Sequence, residues 1–94
     1  MELRFTWDSN KATANLAKHG VSFDEARQVF EDPLAQTVHD PAHGLEERRF
    51  RTIGLALSGR LVVVFYADRG DTIRIIGARR ATRREQRDYE EDPV

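Results

Sequence analysis

Residues 61–67, Leu-Val-Val-Val-Phe-Tyr-Ala, restrict the possible folds more than any other stretch of the chain. The run is apolar on both faces of a strand, which marks it as the centre of a sheet rather than an edge. Turn signals bracket it, with Ser58-Gly59 before and Asp68-Arg69-Gly70-Asp71 after, so its neighbours return antiparallel. Residues 49–57 have strand composition, with Gly54 interrupting them as a candidate bulge. Residues 72–78 form the strand on the other side, and 34–38 supply a further short one.

The flanking segments read as helices with marked ends. Leu3, Phe5 and Trp7 alternate with polar residues, the period of a strand with one buried face. Asp8 and Ser9 then offer N-cap chemistry for a helix over about 10–19. Gly20 is placed to end it in the left-handed conformation. Ser22 and Glu25 make a capping box, with Val21 and Ala26 as its hydrophobic staple. Phe23, Ala26, Val29 and Phe30 share one face of this second helix, which Asp32-Pro33 stops. A second capping box, Thr82 and Glu85, opens a final helix. The fold class is therefore α+β. One domain over 1–94 carries an antiparallel meander sheet, two N-terminal helices packed on one face and one C-terminal helix. At 94 residues there is no room for a second domain.

Several function classes fall away. Without cysteine there is neither a disulfide framework nor a thiolate metal site. No apolar run approaches a membrane span and no signal-peptide core is present, so a soluble cytoplasmic protein is expected. His39 and His43 stand four apart, but Pro41 between them argues against a helix and no third ligand is evident. A polar loop is the better reading, and neither metal nor cofactor is expected. Ser9, Ser22 and Ser58 sit in capping or turn contexts, and none has the strand-turn-helix elbow of a hydrolase.

The net charge of −1 conceals a polarity along the chain. Acids dominate residues 21–47, whereas residues 60–87 hold eight arginines against Asp68, Asp71 and Glu85. Arginine presents a planar fork suited to phosphate, where lysine is a point charge. What remains for chemistry is Lys18, His19, Glu46, Glu47, Arg49, Arg51, Arg79, Arg80, Arg83, Arg84 and Tyr89. Arg49 and Arg51 share a strand face by alternation, and Arg80, Arg83, Arg84 and Arg87 share a helical face or its start. Metal-free RNA cleavage needs a base for the 2′-hydroxyl, an acid for the leaving oxygen and cations for the phosphorane. From charges alone, a solvated surface of weak pairs with Glu85 and nearby acids is the stronger reading.

A resemblance shifts that balance. The chain resembles the BrnT family, toxins of type II toxin–antitoxin systems with a RelE-like ribonuclease fold. The likeness is carried by Phe-Thr-Trp-Asp at 5–8, Asn-Leu-Ala-Lys-His-Gly-Val-Ser-Phe at 15–23 and Phe-Glu-Asp-Pro-Leu at 30–34. It continues through Asp-Pro-Ala-His at 40–43, Arg-Phe-Arg-Thr-Ile-Gly at 49–54, Gly-Arg-Leu at 59–61, and the block at 73–85 with Tyr89-Glu90 beyond. It implies a metal-independent endoribonuclease that inhibits translation and is neutralised by a BrnA-like antitoxin in a hetero-oligomer. RNA is then the substrate, and operator DNA is met only through the antitoxin.

On that reading Arg79, Arg80 and Arg83 contact phosphate, with Arg49, Arg51 and Arg84 assisting. Arg79 and Arg80 are expected at the strand-to-helix junction, where one anion would meet both guanidinium groups and the free N–H groups of the helix start. Arg87 is a surface residue. Glu47, His19 and Lys18 are candidate proton carriers, although His19 suits a helix C-terminal cation somewhat better. Tyr89 either stacks on a base or orients the phosphate, or else packs with its hydroxyl hydrogen-bonded. The rival from another class is a non-catalytic module whose basic half docks an acidic protein or a nucleic acid.

Overall fold

The computed structural model describes residues 3–39 and 48–91. Its centre is the apolar run, now β4 (Leu61–Asp68), in a five-stranded sheet. Beside it lie β3 (Arg48–Leu55) and β5 (Thr72–Arg80), with β2 (Gln36–His39) and β1 (Arg4–Thr6) at the edges. Strands β2 to β5 form the expected antiparallel meander. The expectation did not include β1 running parallel to β5, with Phe5 opposite Ile73. As the meander's last strand, β5 offers an unpaired edge, and β1 fills part of it with Phe5 packed against the core.

Where β1 stops, a side chain continues the edge. Helix α1 (Ser9–His19) carries Asn15, which donates to the Ala78 carbonyl at 2.8 Å and accepts from the Ala78 N–H at 3.2 Å. The amide thus imitates a strand partner and satisfies backbone groups that an open edge would leave unpaired. Asp8 caps α1 by accepting from the N–H groups of Asn10 and Lys11, and Gly20 closes it at φ 71°.

Helix α2 (Phe23–Gln28) and the 3-10 turn that follows (Val29–Glu31) lie with α1 on one face of the sheet. Val21, Phe23, Ala26 and Val29 meet Val62, Val64, Tyr66, Ile73, Ile75 and Ala78 in a single core. Only half of the first capping box forms. Ser22 Oγ accepts from the Glu25 N–H at 3.0 Å, but the Glu25 carboxylate turns to Arg60 and Ser58. An arginine offers two charge-assisted bonds where the cap offers one neutral N–H, so the arginine wins.

The reading of Gly54 changes. The β3–β4 register is unbroken, so Gly54 is no bulge. A Cβ there would stand 2.7 Å from Val29 Cγ1 and 3.2 Å from both Ala35 Cβ and Asp32 Oδ2. Gly54 is small because the 3-10 turn crosses directly over it. The bulge lies in β5, where Phe65 pairs with Gly77 but Tyr66 pairs with Ile75, leaving Ile76 as the extra residue. It shifts the alternation by one, so Ile73, Ile75 and Ala78 all reach the same core.

The last helix, α3 (Arg83–Glu91), covers one end of the opposite face. Its capping box is complete: Thr82 N–H donates to Glu85 Oε1 at 2.9 Å, and Glu85 N–H donates to Thr82 Oγ1 at 3.1 Å. The far end is held by Tyr89, whose hydroxyl donates to Asp32 Oδ2 at 2.6 Å.

Candidate nucleic-acid interface

Alternation along the paired strands decides what faces α3. On β3, Arg49, Arg51 and Ile53 point there; opposite them on β4 stand Ala67, Phe65 and Val63. On β5 the bulge keeps Gly77 and Arg79 on this side of the sheet, and Arg74 as well, opposite Ala67. One surface therefore gathers Arg49, Arg51, Arg74 and Arg79 around the half-buried ring of Phe65. Arg79 holds its guanidinium 5.4 Å from the Phe65 ring centroid, a cation–π contact.

The junction expected to take an anion with both arginines is not built that way. Arg79 and Arg80 are consecutive in β5, so they point to opposite faces. Arg80 lies on the helical side, where its charge helps hold Glu25 below the usual carboxylate range, after the larger effect of the Arg60 bond. Arg79 is engaged by Glu85, with Nη1 to Oε1 at 2.7 Å and Nη2 to Oε2 at 3.0 Å. That bidentate bond is the main reason the Glu85 carboxyl is lowered to about 2 and the Arg79 guanidinium raised. The fold's own carboxylate already occupies the anion position of the junction. Nor does Arg80 share the helical face of Arg83, Arg84 and Arg87, since it belongs to the strand.

The other candidates divide between the two sides. Lys18 and His19 are exposed in the last turn of α1, near the C-terminal dipole and on the helical side. The sheet separates them from Arg49 and Arg51. Arg83 and Arg84 are exposed in the first turn of α3. Tyr89 takes the packed alternative: burial and the bond to Asp32 push its hydroxyl up to about 12. Burial pushes Asp32 up, yet bonds from Tyr89 and the N–H groups of Leu55 and Leu34 outweigh it and leave the carboxyl lowered. Glu46 and Glu47 lie outside the described residues, as does His43. Among the described residues no group of three or more His, Cys, Asp or Glu is arranged to hold a metal ion.

Phe65, Arg74 and Asp88 were not singled out from the sequence. Phe65 and Arg74 join the surface only through strand register. The signal for the bulge that sets this register was the doublet Ile75-Ile76 before Gly77, which breaks strict alternation.

The fold is thus a small α+β domain with one sheet face covered by helices and the other partly open and carrying arginines. The family described as the ribonuclease toxin BrnT of type II toxin–antitoxin systems matches residues 7–85. The chain belongs to this family. Among solved structures it is similar to the Brucella abortus ribonuclease toxin BrnT, crystallised at 1.1 Å, with a TM-score of 0.67 and 23% identity. That match covers 86% of this chain and 99% of the other, and at this identity it speaks for the fold. Comparison with curated proteins gives no match.

Proposed function

We propose that the chain cleaves RNA on the open face of the sheet, without metal, as a cytoplasmic toxin that blocks translation and is silenced by a BrnA-like antitoxin. The observation that carries this reading is the gathering of Arg49, Arg51, Arg74 and Arg79 around Phe65 beside α3. Guanidinium forks bind successive phosphates, and an aromatic ring at the same surface offers a face for an unstacked base. Arg49 takes the phosphate beside the scissile bond, Arg51 holds the neighbouring nucleotide, and Arg83 and Arg84 extend the basic track along α3. Arg79 serves through the position Glu85 gives it. Glu47 remains the proposed proton carrier, because it stands two residues before Arg49 in the sequence. Lys18, His19 and Arg80 belong to the opposite surface and are left out of the cleavage step.

Purified protein incubated with RNA and excess EDTA tests this directly. Cleavage should persist in EDTA. An Arg49→Ala, Arg51→Ala double variant should lose it by about a hundredfold, the scale of two lost charge-assisted bonds. Intact RNA in both metal-containing and metal-free buffer would sink the enzyme reading and leave a non-catalytic basic module.

A further inference from the structure

Between β2, β3 and α3 the open face sinks into a pocket of about 130 Å³, lined by Gln36, Val38, Arg51, Ile53, Val63, Glu85 and Asp88. Val63 and Ile53 form an apolar floor, and the more exposed Val38 an apolar side. The two charges at its rim that remain for a ligand are Arg51 and Asp88. Glu85 is consumed, its two oxygens held by Arg79 and the Thr82 N–H. Neither the Arg51 nor the Asp88 side chain makes a hydrogen bond or ion pair among the described residues, and although they line one pocket they do not pair with each other. The volume is well below the roughly 300 Å³ at which pockets begin to enclose drug-sized ligands, and suits a single flat ring system.

We propose that this pocket is a guanine subsite of the RNA surface, an inference that rests on the ribonuclease reading. Guanine alone among the four bases carries two adjacent donors, N1–H and N2–H, on one edge and two acceptors, O6 and N7, on the next. The Asp88 carboxylate accepts the donor pair as it would accept an arginine fork. Arg51 donates to the acceptor pair, the commonest pairing of arginine with a base. The apolar floor meets one face of the ring. Adenine sets an N1 acceptor against the carboxylate, and cytosine and uracil each lack the paired donors. An arginine side chain from a protein partner would satisfy Asp88 but be repelled by Arg51, so the mixed charge favours the base.

The test uses oligoribonucleotides of uridine with one central guanosine, inosine, 7-deazaguanosine, adenosine or cytidine. Binding is read by fluorescence anisotropy on 2′-deoxy versions, which lack the attacking hydroxyl, and cleavage on the ribose forms. Guanosine should be preferred over adenosine by about tenfold or more, on the scale of one charge-assisted bond. Inosine lacks the N2 amino group, so Asp88→Asn should collapse the guanosine-to-inosine ratio toward one while keeping the guanosine-to-7-deazaguanosine ratio. Arg51→Gln should do the reverse. Both residues are exposed, and a thermal melt of each variant confirms the fold. Equal binding of all bases, or ratios unchanged in Asp88→Asn, would overturn the subsite. Cleavage without base preference would overturn it while leaving the ribonuclease reading intact. Guanosine-selective binding without cleavage would support the subsite and remove the catalytic reading.

Discussion

The two faces of the sheet are made by the same strands and have opposite characters. On the helical face, Thr37, Thr52 and Tyr66 join their hydroxyls in a chain of 2.8 Å bonds, and Phe30 and Phe50 flank the Tyr66 ring. Glu25 and Arg60 fasten the β3–β4 hairpin to α2, and Arg60 reaches the Gly20 carbonyl at the end of α1. On the other face the nine-residue α3 covers one end, and the arginines stand around Phe65. The difference teaches how a small chain divides its work. One face supplies the buried apolar area that holds the fold. The other can then carry like charges whose mutual repulsion a fully packed core would not tolerate.

The two capping boxes repeat the contrast at the scale of one motif. Both have Ser or Thr followed three residues later by Glu, and both glutamates meet an arginine. Glu25 abandons its cap for Arg60, whereas Glu85 serves cap and arginine together. On the helical face the motif locks a hairpin to the helices. On the open face it fixes the angle of α3 and the position of Arg79.

Substitutions can break this division in order of expected size. Gly54→Ala forces a methyl group against the buried Val29 on the helical face. It should lower stability by about 1–3 kcal/mol, with a melting temperature lower by roughly 10 °C. If it melts like the parent, the close crossing of the 3-10 turn is wrong.

On the open face Glu85→Gln should cost less, about 1 kcal/mol, because the side chains of the Arg79–Glu85 pair are 31% and 27% exposed and solvent screens them. The folded carboxyl sits at about 2, below its ordinary 4.5, so its stabilisation is complete above pH 4.5 and fades as pH falls toward 2. Denaturant titrations of parent and variant should therefore differ at pH 6 and converge near pH 2. A gap that stays constant over that range would deny the pair its role.

Tyr89→Phe should cost no more than Glu85→Gln, about 0.5–1 kcal/mol for one hydrogen bond. Its sign with pH is opposite. The phenol rises from 10 to about 12 on folding, so the contribution is complete below pH 10 and is lost as pH climbs through 12. Absorbance titration of the folded parent should show a tyrosine ionising near 12 that is missing in Tyr89→Phe, and ionisation near 10 instead would release α3 from Asp32.

Local chemistry was legible in the chain because it depends on neighbours in sequence. The turn glycines Gly59 and Gly70, the caps at Asp8 and Thr82, and the central place of β4 all follow from a few adjacent residues. So does the shared face of Arg49 and Arg51, which needs only the period of a strand. The family, too, was legible, since ordered blocks along most of the chain carry it.

Tertiary structure decided what the arginines do. Arg79 and Arg80 looked equivalent in sequence, yet strand alternation sends one to each side of the sheet, and a one-residue bulge at Ile76 fixes which. Gly54 looked like a bulge until the 3-10 turn passed over it. Asp88 and Arg51, thirty-seven positions apart in the chain, meet at one pocket only because α3 folds back across β3. Alternation and capping are written in short range order, whereas partners depend on register and on which face a helix chooses to cover.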